Sequence, residues 1–510
     1  MSTNSLRNVL SAGQTTGRTA LALWLLLECL VPGRSPGLAA ATTSTPQEPQ
    51  RPNVVLIVSD DHGIDELGCS GNRVIKTPNL DALASDGIRF TEAFCTTASC
   101  SPSRAVILSG LQSHRNGMYG LEHQEHHFQA FDAVKGLPVM LSAAGYRTAR
   151  IGKFHVAPET AFEFQTVLSG GAANDPASIG RSPEEMAEGA RELIATRDDR
   201  PFFLYFATDD PHRANTVMAD GQPSFDTYPR PNRFGNRDEG YPGIDPVIYA
   251  SADVVVPPFL PDTPESRAEL AEYYQSVSRL DEGIGMLIKI LKAAGKYDNT
   301  LILYISDNGV AFPGAKTTLY DPGIRLPCII RSPRQKEQGV VESAMISWAD
   351  LTPTILDFVG ALPAGQEFDG RSFRKVLEGG SLVGWDEVYA SHNFHEITMY
   401  YPMRMIRTRR YKLIWNIASE LTFPSANDLF HSPTWVSVTR AGGEVYGQRR
   451  LENFLHRPRF ELYDLEADPD EVLNLVDDPK YRDIKEDLSR RLKAFQQRTQ
   501  DPWIHKWSYE

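Results

Sequence analysis

From Asn53 onwards, short apolar runs alternate with helical patterns along most of the chain. Continuous runs closed by polar residues are typical of strands buried on both faces, and they occupy residues 53–59, 201–208, 300–306 and 326–330, with 147–154 a weaker candidate. Helix starts are marked by Ser or Thr followed by proline, at Thr77, Ser182, Thr263 and Thr352. This alternation predicts an α/β fold with a mainly parallel, doubly wound sheet flanked by helices.

The pattern changes after about Gly384, where three runs have the character of antiparallel strands: residues 387–391, 403–408 and 411–415. A final helix is predicted from about Tyr481. We therefore predict a large α/β domain over residues 52–384 and a smaller C-terminal α+β domain over residues 385–510, which contains an antiparallel sheet.

The first residues have the features of a targeting segment. Arg7 and Arg18 precede an apolar run over residues 20–27, and small residues follow at 39–41. This order predicts a secretory signal peptide over residues 1–41 and a polar lead-in over 42–51, with an uncleaved anchor as the alternative. No Asn of the chain lies in an N-x-Ser/Thr sequon. That favours a bacterial source and a periplasmic or extracellular location; in a eukaryote the location would be lysosomal.

Composition and charge exclude several classes of protein. The 510 residues are 41% hydrophobic and 23% charged, which is ordinary for a globular enzyme and excludes a disordered chain or a multi-span membrane protein. The net charge of −13 argues against a nucleic-acid partner, because such proteins usually carry a basic surplus. Five cysteines are too few for a disulfide scaffold at this length.

Groups able to bind metal or move protons follow four predicted strands. They are Asp60-Asp61, His155, Asp209-Asp210 with His212, and Asp307-Asn308. Ligand sites in open α/β sheets form outside the carboxyl ends of the strands, although Asp, Asn and His also make simple turns or helix caps there. Oxygen-only ligand sets suit Ca²⁺ or Mg²⁺, and the candidate ligands are Asp60, Asp61, Asp307 and Asn308.

The pentapeptide from Cys100 to Arg104 has the pattern C-x-P-x-R. Ser101 can cap a helix that begins at Pro102, which would place Cys100 at the positive end of the helix dipole. That field attracts anions and is expected to lower the pKa of a thiol, and Arg104 lies one turn further on. The remaining basic candidates are Lys153, His155, His212 and Lys316.

These segments resemble the type I sulfatases in order and spacing. The matching motifs are SDD at 59–61, CSPSRAVILSG at 100–110, IGKFH at 151–155, DPH at 210–212 and SDNG at 306–309. Within that family the chain is most similar to the sulfamidases, or heparan N-sulfatases, through NGMYGL at 116–121, PFFLYFATDDPHR at 201–213, HEITMYYPMR at 395–404 and DPW at 501–503.

The resemblance implies an alkaline-phosphatase-like fold and a specific chemistry. Cys100 would be converted to formylglycine (3-oxoalanine), whose hydrate attacks sulfur. One Ca²⁺ would be held by Asp60, Asp61, Asp307 and Asn308 together with the hydrate of residue 100. Arg104, Lys153 and Lys316 would stabilise charge on the sulfate. His155 would assist the hydrate, and His212 would protonate the leaving group.

The resemblance also implies partners and a substrate. The partners would be a formylglycine-generating enzyme and a sulfated glycan ending in N-sulfated glucosamine, and a homodimer stays open. Asp210, His395 and Glu396 would hold the sugar, unless Glu396 instead pairs with an arginine such as Arg404. Lys316 stands where sulfamidases usually have Arg, so an O-sulfatase for another glycan is an alternative. Further alternatives are a phosphodiesterase or phosphonate hydrolase of the same fold, and a non-enzymatic carbohydrate-binding protein.

Overall fold

An eight-stranded mixed sheet forms the centre of the molecule. Its strands, in chain order, are β1 Asn53–Ser59, β2 Ile88–Phe90, β3 Arg147–Lys153, β4 Thr166–Gly171, β5 Phe202–Ala207, β6 Thr300–Ser306, β7 Cys328–Arg331 and β8 Val340–Glu342. The spatial order is β8-β2-β7-β6-β1-β5-β3-β4, and only β7 runs antiparallel to its neighbours. The predicted α/β class is therefore confirmed.

The computed structural model describes residues 51–171, 178–214, 216–217, 223–224 and 233–508. The predicted signal peptide and nearly all of the polar lead-in lie outside these residues. From residue 50 onwards the chain forms one compact unit. Among the described helices, none is both long enough and apolar enough to cross a membrane.

Strand β1 shows why the sheet lies in the core. Every residue of this strand is buried, and β1 pairs in parallel with both β5 and β6. Val54, Leu56 and Val58 pack into the hydrophobic cluster on one face, whereas Val55 and Ile57 pack into the cluster on the other. Because alternate side chains of a strand point to opposite faces, only a continuous apolar run can fill both clusters.

Helices cover both faces of the sheet. They are α1 Pro78–Asp86, α2 Cys100–Ser109, α3 Ser113–Asn116, α4 Leu137–Ala143, α5 Pro183–Gly189, α6 Arg191–Ala195, α7 Pro264–Ala293, α8 Asp321–Ile324, α9 Leu351–Phe358, α10 Arg374–Leu377, α11 Asn427–Phe430, α12 Pro433–Arg440, α13 Leu451–Leu455 and α14 Arg482–Arg498. Single 3₁₀ turns occur at Gly68–Ser70, Glu159–Phe162, Ile179–Arg181, Tyr297–Asn299, Trp348–Asp350, Pro479–Tyr481 and Pro502–Trp507. The start of α7 follows the sequence signal, because the Thr263 side chain accepts a hydrogen bond from the Ser266 N–H.

A second, antiparallel sheet lies C-terminal to the first. Its strands are β9 Glu387–His392, β10 Met403–Thr408, β11 Tyr411–Asn416 and β12 Phe460–Asp464, paired in that order. Helix α14 packs on it, with Phe495 stacked 4.0 Å from Tyr389. Ion pairs of Asp321, the first residue of α8, with Arg407 and Lys412 tie this sheet to the segment between β6 and β7. The boundary predicted near residue 384 stays a prediction.

Short two-residue pairings complete the strands: Ala93–Phe94 with Ile346–Ser347, Val445–Tyr446 with Arg449–Arg450, and Thr216–Val217 with Pro223–Ser224. Two helix predictions need correction. The helix after Ser182 divides into α5 and α6, and α9 begins at Leu351, one residue before the predicted Thr352, directly after a 3₁₀ turn whose start is fixed by a capping box between Ser347 and Asp350.

A buried histidine at the end of β9 makes stability depend on pH. His392 is 1% exposed, and among the described residues neither ring nitrogen has a hydrogen-bond partner. Burial first, then Arg457 and Arg404, lower the pKa of His392 to about 3. Below about pH 6.5 the unfolded chain therefore takes up a proton that the folded chain refuses, and folding loses stability as the pH falls.

We expect His392→Leu to reduce the acid-induced loss of stability. The histidine contributes a loss of about 2 kcal/mol between pH 7 and pH 5, which the variant lacks. The measurement is the free energy of unfolding in denaturant at both pH values. Carboxyls such as Asp281, with a pKa raised by burial to about 7, contribute with the opposite sign, so the difference between variant and wild type is decisive. His456→Leu, at an exposed position, serves as control; an equal pH dependence in both variants would contradict the prediction.

Candidate active site

The predicted ligands meet at the carboxyl ends of β1 and β6. These two strands are neighbours in register, with Ser59 opposite Ser306, so the residues that follow each strand lie side by side. The Asp61 N–H donates to Asp307 Oδ1 at 3.2 Å, and Asn308 Nδ2 donates to the same oxygen at 2.8 Å. All four predicted ligands are fully buried. The structure therefore brings them together.

Cys100 lies within this group, in the first turn of α2. Its Sγ is 3.5 Å from Asp60 Oδ1, 4.0 Å from Asp61 Oδ1 and 3.6 Å from Asn308 Nδ2. The helix begins at Cys100 itself with Ser99 as N-cap, so the expected start at Pro102 is wrong. The expected low thiol pKa is also wrong, because burial raises the pKa of Cys100 well above its usual value.

Each carboxylate has its own cation. Arg104 Nε donates to Asp307 Oδ2 at 2.8 Å, Lys153 Nζ donates to Asp60, and Lys316 Nζ donates to Asp61 at 3.0 Å. Arg104 belongs to α2 and Lys153 is the last residue of β3, whereas Asp60 and Asp307 follow β1 and β6. These three basic residues are buried near Cys100, and their charges suit an anionic substrate group.

The donor set fits a hard divalent cation. Burial first, then the neighbouring carboxylates, raise the pKa of Asp61 to about 8 and that of Asp307 to about 6. A bound cation would relieve this crowding of negative charge. In the part of the chain that the structure describes, nothing donates to the buried Asn308 Oδ1. Ligand atoms of four residues lie within 4.8 Å of one another: Asp60, Asp61, Cys100 and His212.

His212 has one ring nitrogen directed at Lys316. Its Nδ1 lies against the carbonyl of Arg213, to which it donates, and Lys316 Nζ is 2.9 Å from Nε2. Burial, followed by Lys316, lowers the pKa of His212 well below its usual value. The ring is therefore neutral here, with Nε2 as the acceptor. This assignment of the tautomer follows from the hydrogen-bond network.

His155 is paired with a histidine that sequence reasoning missed. His155 Nε2 lies 2.6 Å from His123 Nδ1, and burial lowers the pKa of both rings. His123 stands in a polar loop without any motif signal, so only the fold reveals the contact. Three non-glycine residues of the site have left-handed backbone conformations, namely Asp61, His155 and Thr317, with φ of 67°, 60° and 67°. Strained backbone of this kind clusters at functional sites.

The Asp210 carboxylate accepts hydrogen bonds from two arginines. Arg181 Nη1 lies 3.1 Å from Oδ1, and Arg279 lies 2.7 Å from Oδ2 through Nε and 2.8 Å from Oδ1 through Nη2. The carboxylate is fully buried. Both oxygens therefore have charged partners within the protein, and the Arg181 guanidinium also donates to the carbonyl of His212 at 3.0 Å. The contacts support a structural role for this side chain.

Asp210→Ala is expected to lower the free energy of unfolding by about 3–5 kcal/mol, because it leaves two buried arginines without their counter-charge. Denaturant unfolding monitored by circular dichroism measures this loss. Glu188→Ala removes the exposed partner of Arg191 and should leave stability nearly unchanged. Normal stability of Asp210→Ala with a raised KM would instead indicate a sugar ligand.

His395 and Glu396 lie beside the site. His395 Nδ1 is 2.8 Å from the hydroxyl of Ser99, which precedes Cys100. Glu396 is half-buried, and its Oε1 accepts a hydrogen bond from the N–H of Asn427 at 2.8 Å. Arg404 pairs with Asp501 instead, so the alternative pairing of Glu396 with Arg404 is wrong.

A further carboxylate that the sequence did not indicate is that of Asp428. Its Oδ2 lies 3.0 Å from Lys316 Nζ. Lys316 and His212 hold its pKa below the usual range although burial alone would raise it. Asp428 lies between two predicted elements and belongs to none of the motifs, so no pattern could have singled it out.

A mainly parallel sheet with a buried cysteine beside carboxylates at its strand ends defines the class of protein. The comparison with protein families agrees. The family model described as Sulfatase matches residues 52–361, and the chain belongs to this family. A second model, described as N-sulphoglucosamine sulphohydrolase, C-terminal, matches residues 314–437. The human N-sulphoglucosamine sulphohydrolase is 41% identical over 469 residues, covering 89% of this chain and 91% of the human protein. The resemblance to sulfatases is confirmed, and the protein is a hydrolase of the sulfatase family.

Other relatives are more distant. An N-acetylglucosamine-6-O-sulfatase of Bacteroides thetaiotaomicron is 27% identical, over 92% of this chain and 91% of that protein. A structure solved with its substrate D-glucosamine-2-N,6-O-disulfate has a TM-score of 0.61 at 23% identity, covering 89% of this chain and 99% of that one. The phosphonate monoester hydrolase of Agrobacterium radiobacter has a TM-score of 0.62 at 20% identity, covering 88% and 96%. These two structures show a shared fold.

Proposed function

We propose that the protein removes sulfate from terminal N-sulfoglucosamine residues of heparan-type glycans, using formylglycine made from Cys100 and one Ca²⁺. The observation that carries the proposal is the position of Cys100, at the start of α2 beside two carboxylates and the Asn308 amide, with three basic side chains buried nearby. The choice of substrate is supported by the human relative, whose name specifies N-sulfoglucosamine and which matches 89% of the chain.

Cys100 supplies the position of the nucleophile. Its neutral, buried thiol is a weak nucleophile as it stands. Formylglycine at this position supplies a geminal diol, one hydroxyl of which bonds to sulfur while the other allows sulfate to leave. A formylglycine-generating enzyme would carry out the conversion. Asp60 and Asn308 then flank residue 100 and orient it.

Four residues would hold the Ca²⁺: Asp60, Asp61, Asp307 and Asn308. The cation would supply positive charge that favours an anionic nucleophile and stabilises the sulfate group. Among the described residues no group donates to Asn308 Oδ1, so this oxygen is available to a cation together with the aspartate carboxylates, the ligand type that Ca²⁺ prefers.

The basic residues bind the sulfate group and move protons. Arg104, Lys153 and Lys316 stabilise negative charge on the sulfate oxygens in a water-poor pocket, where such interactions are strong. His155 accepts a proton from the nucleophile, with its ring held by His123. His212 would be the general acid, giving the leaving nitrogen a proton that its Nε2 takes from Lys316, since an amine leaves poorly unless it is protonated.

The sugar would lie against the segment of His395 and Glu396. Because both oxygens of Asp210 are taken by arginines, we place its contribution in shaping the loop of His212. Glu396 uses one oxygen on the Asn427 backbone, and its second oxygen can accept a sugar hydroxyl. A site that bonds a hydroxyl rejects analogues that lack it more strongly than an apolar pocket does.

A substrate panel tests the proposal. We expect N-sulfoglucosamine to be hydrolysed with a higher kcat/KM than 6-O-sulfated or 2-O-sulfated glucosamine. Preference for an O-sulfated sugar would overturn the sulfamidase assignment and favour an O-sulfatase. Preference for phosphonate or phosphate diesters over all sulfated sugars would favour the alternative hydrolases, and no turnover at all would favour a carbohydrate-binding protein.

We further propose that the protein is exported, to the periplasm or exterior of a bacterium. The support is the pattern of residues 1–41 and the absence of glycosylation sequons. A eukaryotic source would instead place it in the lysosome. Comparing the N-terminus of the protein in the cell and in the exported fraction tests this proposal, and an unprocessed N-terminus would contradict it.

A further inference from the structure

The carboxylate of Asp428 lies in the site beside Lys316 and His212. Asp428 Oδ2 accepts a hydrogen bond from Lys316 Nζ at 3.0 Å and lies 3.9 Å from His212 Nε2. The side chain is buried. Burying a carboxylate costs free energy of folding unless charged or hydrogen-bonding partners compensate it. None of the roles proposed above uses Asp428.

Lys316 is the centre of this arrangement. Its ammonium group has hydrogen-bond partners in Asp61 at 3.0 Å, Asp428 at 3.0 Å and His212 Nε2 at 2.9 Å. These three partners use all the N–H groups of an ammonium ion. If Asp61 is drawn towards a cation, Asp428 is the carboxylate that still keeps Lys316 against His212.

The segment that carries Asp428 is fixed on both sides. Glu396 accepts the N–H of Asn427, the first residue of α11. Further on, in α12, the N–H of Thr434 donates to Glu269 Oε2 at 2.9 Å. Because the backbone is anchored before and after it, the carboxylate of Asp428 is held in a set position rather than on a free loop.

We propose that Asp428 is a positioning residue, which holds Lys316 against His212 Nε2 so that this pair can protonate the leaving group. This inference rests on the proposed function. In the step concerned, the S–N bond breaks with its electron pair on nitrogen, and sulfur bonds to the nucleophile oxygen. The nitrogen takes a proton from the His212–Lys316 pair, and the nucleophile oxygen gives up its own proton to His155. Water restores both protonation states when sulfate is released.

The competing role for Asp428 is that of a simple counter-charge for a buried lysine. The two roles differ in how the loss depends on the leaving group. An amine or alkyl alcohol needs protonation as it leaves, whereas an activated phenol does not. Loss of a positioned acid therefore slows hydrolysis only of substrates with an amine or alkyl alcohol leaving group. Loss of a structural counter-charge slows hydrolysis of these and of aryl sulfates alike.

The test measures kcat and KM of Asp428→Asn with N-sulfoglucosamine and with 4-nitrophenyl sulfate. We expect kcat to fall about 100-fold for the sulfamate and by less than about 5-fold for the aryl sulfate, with KM little changed. Asp428→Glu keeps the charge and should recover part of the sulfamate rate. Equal losses on both substrates, or a change in KM alone, would overturn the inference.

Asp321→Asn is the matched control. It breaks another aspartate–lysine pair, with Lys412, that involves no residue of the site, and should leave the ratio of the two rates unchanged. If Asp428→Asn does not fold, Asp428→Glu still reports the ratio. A wild-type enzyme that hydrolyses neither substrate would refute the proposed function itself. An enzyme that prefers alkyl O-sulfates would be tested with an alkyl sulfate in place of the sulfamate.

Discussion

Replacing Cys100 with alanine should abolish hydrolysis of every sulfated substrate, lowering kcat/KM by about 10⁵-fold or more. In the proposed mechanism residue 100 provides the nucleophile, and the side chains of Asp60 and Asn308 lie against it. The buried thiol has a raised pKa and would be a poor nucleophile. We therefore expect active enzyme to contain formylglycine, with the peptide mass about 18 Da below that of cysteine.

Peptide mass spectrometry and steady-state kinetics check this prediction together. Cys328→Ala is the matched control, because Cys328 is another buried cysteine, with a pKa raised by burial, within strand β7. It should keep its activity. Fully active enzyme in which Cys100 is an intact thiol would refute the formylglycine mechanism, and activity of Cys100→Ala would refute the assignment of the nucleophile.

The centre of the fold could be predicted because its strands are buried on both faces. Continuous apolar runs identify β1, β5 and β6 almost to the residue. The peripheral strands lack such runs, so the pattern does not predict them. Strands β2 and β8 have three residues each, and β4 is mostly exposed or half-buried. Their pairing is decided by neighbours that are distant in the chain, which a local pattern does not contain.

The sequence could predict those site residues that directly follow a predicted strand. Asp60 and Asp307 follow strands that the pattern identifies, and parallel neighbours bring their carboxyl ends together. Asp428 and His123 come from segments without a regular pattern, and only the tertiary structure carries them to Lys316 and His155. Long-range partners of this kind leave no periodic signal in the sequence.

Electrostatics was the least predictable property. A helix N-terminus suggested a low pKa for Cys100, but complete burial outweighs the dipole and raises it. Glu396 shows the same limit, because the sequence left a sugar or an arginine as its partner, whereas its Oε1 accepts a hydrogen bond from the backbone at the start of α11. Burial and backbone contacts are consequences of the whole fold, so residue type alone could not give them.

Removal of a metal ligand is expected to have the second largest effect. Asp307→Ala should lower the affinity for Ca²⁺ by about 100-fold or more and reduce activity in the same proportion at limiting Ca²⁺. Asp307 links the site, since Oδ2 accepts from Arg104 while Oδ1 accepts from Asn308 and from the Asp61 backbone. The variant therefore loses one ligand and also the contact that orients Arg104.

Calcium content after dialysis, together with activity titrated against added Ca²⁺, measures the effect. Asp281→Asn changes a buried carboxylate that binds the α1 backbone at Leu80, and should lower the free energy of unfolding without loss of metal.

The pKa values of about 8 for Asp61 and about 6 for Asp307 predict how Ca²⁺ affinity depends on pH. A cation must displace protons from both groups, so its affinity should fall as the pH is lowered through these values. Two transition metals per chain, or an unchanged Ca²⁺ affinity in Asp307→Ala, would refute a calcium site built on these oxygens.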